Sequence, residues 1–144
     1  MAVITFSACK QQPKCDNPDI KKTVMELYTP ELKAAIAWEY YYIKIWHGTE
    51  NDFALSKGEA AKTKGDYKKY LNYADSILSL GNIHMEQIML DAAHPDLQKC
   101  ECKAILSFEK QMKLKDQEIL YDIQITTEGE SIVTIYQLRQ EILY

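Results

Sequence analysis

The sequence predicts an α+β domain in which N-terminal helices pack on a curved antiparallel sheet of about four strands. Two observations predict this class. Up to Gly81 the apolar residues recur at helical spacing, and beyond it they alternate with polar residues at a period of two. Helices followed by consecutive strands are typical of α+β domains, in which the helices cover one face of the sheet.

The first predicted helix begins at Pro18. Proline suits the first turn of a helix, and Asp16 or Asn17 can cap the free amides there. One side of this helix should be buried, through four residues at helical spacing: Ile20, Val24, Leu27 and Tyr28.

Two further helices are expected before the strands. Thr29-Pro30-Glu31 repeats the start signal, so a second helix should run over residues 32–46 and stop at Gly48. A third should follow Asp66 as its cap, with a buried side formed by Tyr70, Ala74, Ile77 and Leu78. Residues 49–65 fit either a loop or a weak helix.

Four predicted strands follow, joined by turns. The alternating stretches are "NIHMEQIML" (82–90), "KCECKAILSFEK" (99–110), "EILYDIQIT" (118–126) and "IVTIYQL" (132–138). The segments "AAHPD" and "TEGES" are expected to be turns. Two strands should turn these residues toward the core: Cys100, Cys102, Ala104, Leu106 and Phe108 in one, and Ile119, Tyr121, Ile123 and Ile125 in the other.

Length and charge restrict the organisation and the partners. The chain has 144 residues, enough for a single domain, which we place at residues 15–144, to bury a core. Its net charge is −4 and no basic stripe is present, which does not favour a nucleic-acid partner. The sequence has no run of about 18 apolar residues, the length that indicates a membrane-spanning helix.

The N-terminal stretch "FSAC" at residues 6–9 resembles the end of a bacterial lipoprotein signal peptide. The resemblance implies that Cys9 accepts the lipid, and that residues 1–14 are a signal remnant and a polar tether. Only five residues precede the motif, so the signal is expected to be truncated at its start. The alternative is a short N-terminus in which the cysteine is incidental.

The other three cysteines lie at Cys15, Cys100 and Cys102. They could be inert buried thiols, or join Cys9 in a zinc site, although the spacing lacks the two C-x2-C pairs of common zinc sites. We expect instead a disulfide between Cys15 and one strand cysteine, Cys102 in preference. Its loop of 87 residues would stabilise the fold by about 4 kcal/mol, and the bond requires an oxidising compartment. Cys100 would then be free, or bonded to Cys9 if that residue is not lipidated.

Three segments resemble a group of small bacterial lipoproteins and secreted proteins. They are "CDNPDIKKTV" (15–24), "CECKAIL" (100–106) and "ILYDIQITTEGE" (119–130). The resemblance implies a cystatin-like or NTF2-like fold and supports the Cys15–Cys102 pairing. It implies no common catalytic residues.

Catalytic motifs are missing from the sequence, which has no G-x-S-x-G, no H-E-x-x-H and no glycine-rich phosphate loop. His84 and Glu86 would share one strand face and could transfer a proton, but a solvent-facing strand edge is the commoner explanation for such a pair. We therefore expect no catalysis, no cofactor and no metal.

The segment "WEYYYIKIW" (38–46) would carry aromatic side chains on nearly every side of its predicted helix. Part of it fits a core stripe, and the remaining rings predict a surface that binds another protein. The candidate residues for that surface are Trp38, Tyr40, Tyr41, Trp46, Tyr67 and Tyr70.

These patterns together favour a binding protein anchored in the bacterial cell envelope, either periplasmic or exposed at the surface. It would act as an adaptor, an inhibitor or an immunity-type lipoprotein, and the acidic net charge favours a basic protein partner. The alternative is an NTF2-like domain that binds a small molecule, or an enzyme, with a pocket between helices and sheet that holds Tyr121 and His84.

Overall fold

A computed structural model describes residues 13–41 and 67–144. Its helices are α1 (Pro18–Tyr41) and α2 (Tyr67–Leu78), and its strands are β1 (Ile83–His94), β2 (Lys99–Phe108), β3 (Gln117–Ile125) and β4 (Ser131–Ile135). Short 3-10 helices at Pro95–Leu97 and Lys110–Met112 join β1 to β2 and β2 to β3. The predicted α+β class is confirmed.

The four strands form one antiparallel sheet in the order β1-β2-β3-β4, so each strand pairs with its neighbour in sequence. Cys102 lies opposite Tyr121, which in turn lies opposite Ile135. Since residues opposite each other point to the same side, these three side chains lie on one face, which we call the inner face.

Most of the predicted inward-facing residues are buried on this inner face. In β2 and β3 they are Cys100, Cys102, Ala104, Leu106, Ile119, Tyr121 and Ile123. Phe108 and Ile125, near the strand ends, are half-buried. The period-two prediction therefore identified the inward-facing residues of β2 and β3.

Helix α1 begins as predicted. The side-chain Oδ1 of Asn17 accepts hydrogen bonds from the amides of Asp19 (2.9 Å) and Ile20 (3.4 Å), and Pro18 occupies the first helical position. Asn17, rather than Asp16, is therefore the cap.

The prediction of a helix break at Pro30 was wrong, because α1 runs through it as one helix of 24 residues. The buried side continues in one register across the proline, through Val24, Tyr28, Leu32 and Ile36, all with 0% exposure. A proline inside a helix costs about 3 kcal/mol. Burying Leu32 and Ile36 beyond it is worth about 3–6 kcal/mol, which offsets that cost. Leu27, predicted to be buried, is 39% exposed.

Tyr28 links the middle of α1 to the sheet. Its hydroxyl is within hydrogen-bond distance of two backbone carbonyls, those of Leu120 (2.9 Å) and Tyr136 (2.8 Å). Burial raises the pKa of Tyr28 to about 12, so the hydroxyl keeps its proton for donation at neutral pH.

Helix α2 packs against α1. Tyr70 and Ala74 are buried as predicted, while Ile77 and Leu78 are half-buried. An ion pair between Lys33 and Asp75 (2.9 Å) spans the two helices. Because its side chains are 34% and 55% exposed, solvent screens this pair and it contributes little to stability.

The prediction of a turn at "AAHPD" was wrong for its first three residues. Strand β1 continues to His94, and Ala92, Ala93 and His94 pair with β2. The ladder shifts register twice within β1, between Glu86 and Met89 and between Leu90 and Ala92. Such bulges change which side chains face inward, so strict alternation in the sequence could not locate the strand's end.

Asp122 lies between the inward-facing Tyr121 and Ile123 and so faces the outer side of the sheet, yet it is buried there. It is 7% exposed, accepts a hydrogen bond from the Tyr136 hydroxyl at 2.5 Å, and lies 3.3 Å from Lys99 Nζ. The predictions for the end of a helix at Gly48, for residues 49–65 and for the Asp66 cap concern residues outside those described.

The continuous helix predicts a contrast between two leucines of α1. Leu32→Ala should lower the free energy of unfolding by about 2–5 kcal/mol, because it leaves a cavity in the core. Leu27→Ala, on the exposed side, should cost about 1 kcal/mol or less. Urea unfolding of both variants measures the difference, and equal losses would contradict a single buried stripe across Pro30.

Candidate functional site

The three described cysteines meet on the inner face of the sheet. Cys15 and Cys102 form a disulfide with a Cα–Cα distance of 5.7 Å, so the preferred pairing is confirmed. Cys100 is free and buried, and its Sγ lies 3.7 Å from Cys102 Sγ. We call these three residues the cysteine cluster. It joins the residue just before α1 to a central strand of the sheet.

Cys15 is held by a second contact that does not depend on sulfur. The Tyr121 hydroxyl donates a hydrogen bond of 2.7 Å to the Cys15 carbonyl. Tyr121 is fully buried and lies opposite Cys102 in the sheet. Burial raises its pKa far above the usual tyrosine range, which keeps it a neutral donor.

Cys100 is a neutral, shielded thiol. Its Sγ donates to the Pro13 carbonyl at 3.4 Å. Burial and, to a smaller extent, the charge of Asp122 raise the pKa of Cys100. The thiolate is the reactive form of cysteine, so this thiol is a poor nucleophile in the folded state. Cys9, the predicted site of lipidation, lies outside the described residues and stays a prediction.

Aromatic side chains gather where the end of α1 meets α2. Tyr40 stacks on Tyr73 with ring centroids 3.8 Å apart, and it also contacts Tyr70 at 5.7 Å. Tyr41 meets Tyr70 edge-on at 5.0 Å and Trp38 at 6.1 Å. We call these five residues the aromatic cluster.

The structure thus brings together four of the six residues predicted to bind a partner. Tyr70 is buried between the helices, with 5% exposure, whereas Trp38, Tyr40 and Tyr41 are half-buried. Trp46 and the side chain of Tyr67 are not described. Tyr73 also belongs to the cluster and lies one helical turn from Tyr70 on the same side of α2.

Tyr121 and His84, the candidates for a small-molecule site, are not brought together. Tyr121 lies on the inner face beneath α1, whereas His84 pairs with Ser107 on the outer face. His84 is about half exposed, and its Nε2 lies 3.9 Å from a carboxylate oxygen of Glu109. Glu86 is exposed on the same strand.

A shallow depression of about 330 Å³ is present near the C-terminal residue. It is lined by Phe108, Lys110, Lys113, Leu114, Asp116 and Tyr144. Neither Tyr121 nor His84 lines it.

Glu39 is a structural residue that sequence reasoning missed. Its two carboxylate oxygens accept hydrogen bonds from the amides of Ile142 (2.7 Å) and Leu143 (2.8 Å). This holds the C-terminal segment against α1, where Ile142 is fully buried. A carboxylate amid the aromatic residues of "WEYYY" was the only local signal, and it carried no information about a partner more than 100 residues away.

No protein-family model matches the chain. No curated protein and no solved structure matches it at a significant level either. Neither described helix combines the length and the apolar character that a membrane crossing requires. The function must therefore be inferred from the chain's own residues.

The disulfide predicts a redox-dependent stability. Reduction should lower the free energy of unfolding by about 2–4 kcal/mol, because the unfolded chain then loses a constraint on a loop of 87 residues. Urea unfolding with and without dithiothreitol measures this. Cys100→Ala should show the same difference between its oxidised and reduced forms, and an unchanged midpoint on reduction would contradict a stabilising bond.

Glu39 predicts a pH dependence. Burial raises its pKa in the folded state, so its contribution to stability is fully present below the unfolded pKa and is lost as pH rises through the folded pKa. Glu39→Gln does not titrate. The stability of the natural chain relative to this variant should therefore fall as pH rises above the unfolded glutamate pKa of about 4.3. Urea unfolding at a series of pH values above that point tests it, with Glu118→Gln at an exposed position as the control for lost charge. A relative stability that rises with pH would contradict the prediction.

Proposed function

We propose that the protein is a binding protein of the bacterial cell envelope, tethered by a lipid on Cys9 and acting through protein contacts without catalysis. The single observation that carries the proposal is the Cys15–Cys102 disulfide. Structural disulfides persist in oxidising compartments and are rare in the cytosol. An oxidising compartment agrees with the lipoprotein-like "FSAC" motif at residues 6–9.

The position of α1 supports a division between tether and binding surface. The helix has 24 residues, which corresponds to about 36 Å along its axis. The disulfide is at its start and the aromatic cluster at its end. A lipid attached six residues before Cys15 would therefore leave the aromatic end free to meet a partner.

The aromatic cluster is the proposed contact surface. Trp38, Tyr40 and Tyr41 are half-buried, so part of each ring is accessible while the rest is fixed by packing. Rigid, partly exposed tryptophan and tyrosine residues are enriched among the residues that dominate binding energy at protein interfaces. The net charge of −4 favours association with a basic partner.

The proposal includes a finer fold assignment, cystatin-like or NTF2-like. A long helix laid on a four-stranded antiparallel meander supports it. The proposal of no catalysis is supported by two polar side chains that make structural contacts: Tyr121 donates to the Cys15 carbonyl, and Glu39 accepts from two backbone amides.

The tether is tested by expressing the protein from its own gene in its own host. The natural protein should fractionate with membranes, and its intact mass should fit a diacylglycerol on an N-terminal Cys9. Cys9→Ser should release it in soluble form. A natural chain that is soluble and begins ahead of Cys9 would contradict the tether.

The contact surface is tested on a partner captured from the host envelope. Tyr41→Ala should weaken that complex about 10-fold or more, the loss that marks an interface anchor. Tyr144→Ala is the matched control, because Tyr144 is 85% exposed and lies outside the cluster. Thermal unfolding confirms that both variants are folded. Equal affinity of the two variants would show that the partner binds elsewhere.

A further inference from the structure

The cysteine cluster contains one sulfur more than its disulfide uses. The three Sγ atoms all lie within 4.8 Å of one another, and all three residues are buried. We propose that reduction of the Cys15–Cys102 bond turns this cluster into a binding site for a thiophilic monovalent metal ion, Cu(I), with the three thiolates as ligands. This site goes beyond the proposed binding function and does not rest on it.

The scaffold holds the three sulfurs together even without the disulfide. Cys100 and Cys102 are fixed on β2, a strand paired on both sides. Cys15 is fixed by its carbonyl, which accepts the hydrogen bond from Tyr121, and by the docking of α1 through Tyr28. Breaking the sulfur–sulfur bond therefore leaves the thiols close together.

The distances suit metal thiolate bonding. A metal–sulfur bond of about 2.3 Å places neighbouring sulfurs about 3.8–4.0 Å apart in tetrahedral or trigonal geometry. The sulfurs of Cys100 and Cys102 are already 3.7 Å apart. Only the two bonded sulfurs must separate, and a partial rotation of the Cys15 side chain about its Cα–Cβ bond provides this.

The number and kind of ligands select the ion. Within the described residues the group consists of three cysteines with no fourth histidine, cysteine or carboxylate ligand. Structural zinc almost always takes four protein ligands, whereas soft thiolates select Cu(I), which is stable with three. The coordination number therefore favours Cu(I).

The metal site forms in two steps, reduction of the disulfide and then binding of Cu(I). An external dithiol transfers two electrons and two protons to the disulfide, is itself oxidised to a disulfide, and leaves Cys15 and Cys102 as thiols. Cu(I) then forms three metal–sulfur bonds, and the three thiols release three protons to solvent. The disulfide and the metal site exclude each other, so the redox state of the cluster decides whether the ion binds.

The test uses the full chain carrying Cys9→Ser, which leaves the cluster as its only cysteines. The protein is reduced with dithiothreitol under anaerobic conditions, freed of reductant, and titrated with Cu(I) against a chromogenic Cu(I) chelator. One ion per chain is expected. Cys100→Ala should lower the affinity by at least about 100-fold, above the range that loss of an outer-shell partner costs. The oxidised chain should bind as weakly as this variant.

Cys100→Ala serves as its own folding control, because its oxidised form keeps the disulfide and should keep its circular dichroism. If the reduced chain unfolds without metal, Cu(I) must restore its near-ultraviolet circular dichroism. The proposal is overturned by equal binding to reduced and oxidised chains, by equal binding to Cys100→Ala, or by failure of Cu(I) to bind or refold the chain.

Discussion

The docking of α1 on the inner face of the sheet is the interaction on which the rest of the structure depends. It is fixed at three points along the helix. Cys15, just before the helix, is bonded to β2, Tyr28 in the middle reaches the carbonyl of Leu120 in β3, and Glu39 near the end holds the C-terminal segment. Between these points the buried side of α1 is apolar and continuous. Each contact joins residues at least 87 positions apart. Helix α1 therefore connects segments of the described chain that are distant in sequence.

The two ends of α1 differ chemically. The start of α1 carries sulfur chemistry, shielded from solvent and sensitive to the redox state of its surroundings. The far end carries aromatic rings fixed by α2 and partly accessible. The proposed tether before the first end and the proposed contact surface at the second fit a protein that acts by binding.

The sequence predicted what local patterns encode. Strand period two identified β2 and β3 and their buried faces, and Asn17 and Pro18 marked the start of α1. The disulfide was predicted from the places of its cysteines, one before the first helix and one on a strand. The sequence-based predictions failed where packing against residues far along the chain outweighs a local signal. Pro30 reads as a helix start, yet Leu32 and Ile36 continue the stripe that meets the sheet. Bulges in β1 and the contacts of Tyr28 and Glu39 have no local signature, because their partners lie far along the chain.

The redox state of the cysteines inside the host cell decides whether the protein works in an oxidising compartment. Cells are quenched with acid, free thiols are blocked with an alkylating reagent, and the protein is digested without reduction. We expect a peptide pair linked through Cys15 and Cys102, together with an alkylated Cys100. Alkylation of Cys15, Cys100 and Cys102 alike would show that the protein works in a reducing compartment. The proposed place in the envelope, and the separation of tether from contact surface that depends on it, would then be wrong.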